Sequence, residues 1–270
     1  MTRRVLPDDS RPGAFRVVFG DAAQSWVDPD RPDELAFEYV QQLALALDVI
    51  ALTAPPEQRL RVVHVGGAGM SLPRWLAWRR PGTAQIVLEP DAELTAEVRR
   101  IIPLPKRSGV KVRDVDGLTG LAAMPAGYAD VVILDAFDGD QVPGELAGAA
   151  FLDQVQRLGR GPGLLCANVT DRAPFDWSRR FAAGLARRWR QVALGAEAAV
   201  HKGRRFGNLV FLAAPGRLPL AKLRRESARL PFGYRWLDRK ELSAWIGGAA
   251  PFAEVAPPSP RPSGSKLWFQ

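Results

Sequence analysis

Residues 62–80 read VVHVGGAGMSLPRWLAWRR. An apolar run, Val62 to Val65, breaks at Gly66, Gly67 and Gly69 and gives way near Ser71 to a helical pattern. Glycine admits positive φ and lets the backbone approach a ligand closely, while the N–H groups that open the following helix have no partner within it. A strand, a glycine turn and a helix in this order form the first unit of a doubly wound α/β sheet. The turn alone does not name a ligand, since such turns serve NAD, FAD and purely structural ends alike.

Downstream, the pattern repeats with acids at strand ends. Gln85 to Leu88 is a second apolar run ending in Glu89, roughly twenty residues past the turn, where such sheets carry an acid for ribose hydroxyls. VKVRDVDGLTGL (110–121) is a short strand followed by Asp114, Asp116 and Gly117, and ADVVILDAFDGDQVP (129–143) delivers Asp135 and Asp138 to a loop. Val131 to Leu134 reads as a strand buried on both faces. An acid directly after four aliphatics is poorly explained by solvation alone. Right-handed crossovers place all these strand ends, and so the acids, on one edge of the sheet.

The remaining pattern fits that frame. A hairpin is expected over Phe15 to Val27, and a helix from about Asp33 to Leu52, with Leu43, Leu47 and Ile50 near helical spacing, as a lid or interface element. Strands are expected near 61–65, 85–89, 110–113, 130–135 and 163–169, with helices starting near Ser71, Asp91, Leu118 and Glu145 and a fifth from Phe175 to Trp189. A hairpin over 191–213 closes the sheet with an antiparallel strand. The fold class is therefore α/β, a doubly wound, mostly parallel seven-stranded sheet with a small N-terminal hairpin. It divides into residues 1–54 (hairpin and helix), 55–215 (nucleoside-binding domain), 216–250 (helical extension) and 251–270 (flexible tail). PPSPRPSGS (257–265) is linker-like, and the terminal Lys266 to Gln270 reads as a frayed end.

Composition narrows the chemistry. The chain carries 37 Lys and Arg against 29 Asp and Glu, a formal net charge of +8. The arginines are spread as pairs such as Arg79-Arg80 and Arg187-Arg188 with no interleaved base-stacking motif, which argues for solvated helix faces and against nucleic acid. Against that background, Asp135, Asp138, Asp140 and Glu145 fall within eleven residues free of Lys and Arg. The most basic stretch, 202–229, suits an acidic partner or plain solvation. One cysteine, Cys166, excludes an internal disulfide, and with two distant histidines, His64 and His201, it leaves no ligand set for zinc. No signal-like or membrane-length apolar run appears, so a cytoplasmic protein is expected.

These residues together resemble the spermidine synthase (polyamine aminopropyltransferase) family, whose catalytic domain has a class I methyltransferase-like, Rossmann-like fold. The resemblance covers roughly residues 15–215. It includes FGDAAQSWVDPDRPDELAFEYVQQLALAL (19–47), with its "QS" and "DE", and AGAAFLDQVQRLGRGPGLLCANV (147–169). It implies that Gly66, Gly67, Gly69, Glu89, Asp116 and Gly117 bind decarboxylated S-adenosylmethionine or S-adenosylmethionine as co-substrate, without a metal. It also implies that Asp135 and Asp138 handle a small amine acceptor, Asp135 as base or orienting group and Asp138 steering the far end. A homodimer is expected from the same resemblance.

Three departures bear on the chemistry. Gly69 stands where the family has an aspartate that helps hold the donor's aminopropyl ammonium. Phe37, Glu38 and Tyr39 stand where the family has Tyr-His-Glu, so a phenol and a carboxylate have moved or gone. Asp138-Gly139 replaces an Asp-Pro. The expected activity is aminopropyl transfer; ordinary S-adenosylmethionine-dependent methyl transfer, favoured by Gly69, and a non-catalytic nucleoside-binding homologue remain as alternatives. A nicotinamide dehydrogenase would want a third glycine near Leu72 and leaves Asp135 and Asp138 unexplained.

Overall fold

The structure, a computed structural model, describes residues 3–20 and 22–262. Three short strands open it, β1 (Arg3–Pro7), β2 (Phe15–Phe19) and β3 (Ala22–Val27), paired antiparallel in that order. The expected hairpin is thus a three-stranded sheet. Only Val5 of β1 is buried, too little alternation to mark a strand in sequence.

Helix α1 (Glu38–Ala46) continues through a π-helical turn, Leu47–Ala51. It begins later than the expected Asp33, because Asp28 accepts the backbone N–H groups of Asp30 and Arg31 and Arg31 pairs with Asp33 and Glu34, holding that stretch in turns. Leu43, Ala46 and Leu47 are wholly buried, which makes α1 a core layer against the sheet.

The alternating unit follows: β4 (Arg61–Val65), α2 (Ser71–Arg79), β5 (Ala84–Leu88), α3 (Ala92–Ile101), β6 (Val110–Arg113), α4 (Gly117–Ala122), β7 (Ala129–Leu134), α5 (Ala149–Leu158), β8 (Gly159–Asp171), α6 (Asp176–Arg188), β9 (Gln191–Glu197), α7 (Ala198–His201), β10 (Gly207–Ala214), α8 (Leu220–Ser227), β11 (Tyr234–Leu237) and α9 (Arg239–Ile246). The large sheet runs β11-β9-β10-β8-β7-β4-β5-β6, parallel from β8 to β6 and antiparallel where β10 meets β8 and β9 and where β11 meets β9.

The sheet has eight strands where seven were expected. The eighth, β11, comes from the stretch read as a helical extension and joins the edge beside β9. Gly195 of β9 makes this possible, since the Trp236 indole lies 2.8 Å from where a Cβ would stand.

All six residues of β7 are buried. Val132 and Leu134 face a core shared with Phe151 of α5 and Phe181 of α6, while Val131 and Ile133 face the core shared with Leu43 of α1 and Leu76 of α2. Burying each such side chain stabilises by about 1.5–3 kcal/mol, so the strand that delivers Asp135 is firmly seated. A third, smaller cluster joins Val5, Val17 and Val27 of the N-terminal sheet to Leu94 and Val98 of α3.

Residues 251–262, expected to be flexible, lie extended against the body with Phe252, Ala256 and Ser259 buried. Their proline-rich composition reflects an extended path without internal hydrogen bonds, which reads as a linker until its packing is seen. Lys266 to Gln270 lie outside the described residues. Among the described residues no helix is long and apolar enough to cross a membrane.

Candidate active site

From β4 the chain builds outward through β5 and β6; β7 and β8 lie on the other side. At such a switch the crevice outside the strand ends is left open for a ligand. There lies a cavity of about 450 Å³, lined by Gly66, Gly67, Glu89, Asp116, Gly117, Asp135 and Asp138 among others. The acids read from separate stretches of sequence therefore share one space.

The glycine turn and the acidic loop meet backbone to backbone. Gly66 has φ +91°, and a Cβ there would fall 2.2 Å from the Asp135 carbonyl oxygen. Asp135 N–H in turn donates to the Val65 carbonyl at 2.9 Å. Beside it, Glu89 Oε2 accepts from the N–H groups of Gly67 (3.0 Å) and Ala68 (3.2 Å), and Oε1 from Asp91 N–H (3.1 Å). Glu89 thus closes the turn, and a carboxylate's roughly four acceptor positions leave one for the cavity. Asp116 caps α4 by accepting from Thr119 N–H at 2.9 Å. Burial works to raise its pKa, but hydrogen bonds from Thr119 and from the backbone of Asp116 and Leu118 together outweigh it and hold the group below the usual range.

Asp135 sits at the floor. Burial pushes its pKa up to about 6, against the opposing hydrogen bonds from Asn168 and Tyr39. Asn168 Nδ2 donates to Asp135 Oδ1 at 3.0 Å, and Asn168 Oδ1 is buried with no donor among the described residues. The Tyr39 hydroxyl donates to the same carboxylate and, through burial first and this neighbouring charge second, is held neutral. Where a phenol and a carboxylate had moved or gone, at Phe37-Glu38-Tyr39, the Tyr39 phenol reaches Asp135 and Glu38 accepts from Asn208 Nδ2 at 3.0 Å.

Asp138 is exposed at the rim. Its N–H donates to the Gln141 carbonyl at 2.9 Å and its own carbonyl accepts the return bond at 3.2 Å, closing a tight turn in which Gly139 has φ +63°. The N-terminal sheet steadies this turn: Gln24 Nε2 donates to the Gly139 carbonyl (2.8 Å) and Arg3 Nη2 to the Phe137 carbonyl (2.7 Å).

Gly69 does not line the cavity. A side chain there would point at Ser25, whose Oγ lies 2.7 Å from the Cβ position, with Val27 Cγ2 at 3.1 Å. Ser25 and Ser71 hydroxyls share a hydrogen bond at 2.8 Å, and both residues line the cavity. The N-terminal sheet has thus filled the space that an acid at position 69 would need.

Sequence reasoning missed Tyr39, Asn168, Arg3 and Arg261, all of which touch the acidic loop or line the cavity. Asn168, a polar residue inside an apolar strand, carried a legible signal; the two arginines, at opposite ends of the chain, carried none. His64 is a buried neutral side chain, hydrogen-bonded to Gln85 Oε1 at 2.9 Å and pushed by burial to about 4. In the basic stretch 202–229, Arg205 pairs with Glu197 (2.6 Å), Arg224 with Glu241 (2.7 Å), and Arg225 and Arg229 with Glu226. Cys166 is buried, which raises its thiol.

Sheet, crevice and acids define a methyltransferase-like α/β protein with an acid-lined cavity at its strand ends. In sequence, the chain is similar to the polyamine aminopropyltransferase of Neisseria meningitidis, 24% identical over 149 residues that span 55% of this chain and 54% of that protein. The chain spans about half the length of the curated relatives it matches. In structure, it is similar to a probable spermidine synthase from Corynebacterium glutamicum, with a TM-score of 0.86 at 22% identity over 93% of this chain and 92% of that one. It is also similar to human methyltransferase-like protein 13 in complex with SAH, with a TM-score of 0.56 at 18% identity over 78% and 92%. No family model matches the chain. The chain resembles spermidine synthases in sequence and shares their methyltransferase-like fold.

Proposed function

We propose that this protein is a transferase that moves an aminopropyl group from decarboxylated S-adenosylmethionine to a polyamine-type amine. The observation that carries the reading is the placement of Glu89 and Asp135 on one cavity, the first tied to the glycine turn and the second enclosed with Tyr39 and Asn168. The similarity to a polyamine aminopropyltransferase supports the same reading.

A sulfonium donor supplies an electrophilic carbon and a neutral thioether leaving group. In the transfer the amine nitrogen's lone pair forms the new C–N bond, the C–S pair returns to sulfur, and the attacking nitrogen sheds a proton. Asp135, with its pKa near 6, is ionised at neutral pH yet basic enough to accept that proton. Asn168 Nδ2, by donating to Oδ1, holds the Asp135 carboxylate in place. Asp138 holds the far ammonium by a charge-assisted hydrogen bond. Alignment and the acidic enclosure supply the rate, with no covalent enzyme intermediate. The cytoplasm is the proposed setting, and a homodimer the proposed assembly.

Gly69 favours a second reading, methyl transfer from S-adenosylmethionine, because the space for an acid there is taken by Ser25. Calorimetric titration with S-adenosylmethionine, its decarboxylated form, methylthioadenosine and NAD separates the two. The leading reading expects the decarboxylated donor to bind most tightly, the second expects S-adenosylmethionine to do so, and preferential binding of NAD refutes both.

A further inference from the structure

Residues 252–261 form a strap near the C-terminus that passes beside the cavity, and its course is built into the fold. A Cβ on Gly144 or Gly148 would run into the carbonyl oxygen of Ala256 or Glu254, so only bare backbone lets the strap pass. The Ala253 and Glu254 carbonyls accept from Ala149 N–H (2.8 Å) and Ala150 N–H (3.3 Å), donors that the start of α5 leaves unpaired within the helix. Ala256 N–H donates to the Gly144 carbonyl at 3.2 Å, and Trp177 Nε1 to the Pro257 carbonyl at 2.8 Å. Ser259 is wholly buried; its N–H donates to the Val142 carbonyl at 3.0 Å and its Oγ accepts from Val142 N–H at 2.8 Å.

Between the buried anchors Ala256 and Ser259, Pro258 stays exposed and lines the cavity. A short series of contacts fixes which end of the cavity it lines. A Cβ on Gly117 would fall 2.9 Å from Leu146 Cδ2, and the backbone of Ala256 and Pro257 lies against Gly144, two residues before Leu146. Pro258 therefore stands at the end of the cavity marked by Asp116 and Gly117. Pro143, Leu146 and Pro258 give that end an apolar lining, and Asp116 adds a carboxylate. Such a lining suits a planar aromatic base with an amino group, whose faces leave water against apolar side chains while its N–H donates to the carboxylate.

We propose that Pro258 forms one wall of the pocket for the donor's base, so that nucleoside binding requires the strap to be seated. The inference rests on the reading of this cavity as a nucleoside site and holds for either sulfonium donor. A proline ring suits the place, because it offers a rigid apolar face and loses no rotamer freedom when a base covers it. The dependence runs both ways. A base packed on Pro258 stabilises the seated strap, and a strap that lifts away removes the wall.

The test uses the full chain and methylthioadenosine. Hydrogen exchange is followed at the amides of Ala256 and Ser259 with and without the nucleoside, with the amides of β11 as a reference for global stabilisation. At a ligand concentration about a hundred times Kd, exchange at Ala256 and Ser259 is expected to slow by up to about a hundredfold, beyond any slowing in β11. Calorimetry on Pro258→Ala is expected to show affinity for methylthioadenosine reduced roughly three- to fivefold, the scale for uncovering part of an apolar ring. Affinity unchanged in Pro258→Ala, or slowing at Ser259 no greater than in β11, overturns the inference alone. Failure of the wild type to bind methylthioadenosine overturns the nucleoside reading and the inference with it.

Discussion

The hydroxyl of Tyr39, in the first turn of α1, donates a hydrogen bond to the carboxylate of Asp135, at the end of β7. The bond links the segment that precedes the sheet to the floor of the cavity and lowers the pKa that burial raises. Tyr39→Phe keeps the ring, which stacks on Phe37 at 6.0 Å, and removes only the donor. Turnover at pH 7 is expected to fall on the order of tenfold, the worth of a hydrogen bond to a charged group. The acidic limb of the rate profile moves above pH 6 while donor affinity stays level. A profile that does not move removes Tyr39 from this role.

Asp135 also ties stability to pH. Its pKa in the folded protein, about 6, exceeds its ordinary value of 3.8. The folded state therefore binds the proton more tightly, and stability present below pH 4 is lost as pH rises through 6. Asp135→Asn has no charge to bury and keeps an oxygen for Asn168. It is expected to be more stable than wild type at pH 8 by about 1–3 kcal/mol, with the difference closing near pH 4. Denaturant titrations at the two pH values check this, and a variant less stable at pH 8 contradicts it.

Gly69→Asp restores the acid that the related family carries but sets it against Ser25 and Val27. Overpacking of this kind costs about 1–3 kcal/mol. The double variant Ser25→Ala/Gly69→Asp relieves the nearest contact and is expected to recover part of the loss in thermal unfolding. It should also bind the decarboxylated donor more tightly relative to S-adenosylmethionine. Equal stability of Gly69→Asp and wild type shows that the space is open after all.

Glu89→Ala orphans the N–H groups of Gly67, Ala68 and Asp91. Nucleoside binding is expected to weaken by at least about a hundredfold and stability to fall by about 1 kcal/mol, the scale for losing hydrogen bonds to half-buried donors. Calorimetry with methylthioadenosine reads the first and thermal unfolding the second. Unchanged binding removes Glu89 from the ribose role.

Where the sequence was legible, local physics set the outcome. β4, β5 and β7 are aliphatic runs buried on both faces, and Gly66 follows from a backbone contact that no side chain permits. The acids at strand tips followed from topology. What stayed hidden depends on partners distant in sequence. β11 needs Gly195 to receive Trp236, the strap needs Gly144 and Gly148, and Arg3 and Arg261 reach the loop only because both ends of the chain return to it. Gly69 was placed in the site by the family resemblance, and only the structure shows that a side chain there would meet Ser25 and Val27.

The division of labour between Glu89 and Asp135, one for holding the donor and one for the chemistry, is tested most directly on Asp135→Asn. Donor affinity by calorimetry and turnover with donor and amine are measured on the same preparation. The account predicts affinity within about threefold of wild type and turnover reduced by at least about a hundredfold, the range for loss of a positioned general base. Retained turnover, or donor binding lost together with it, contradicts the account.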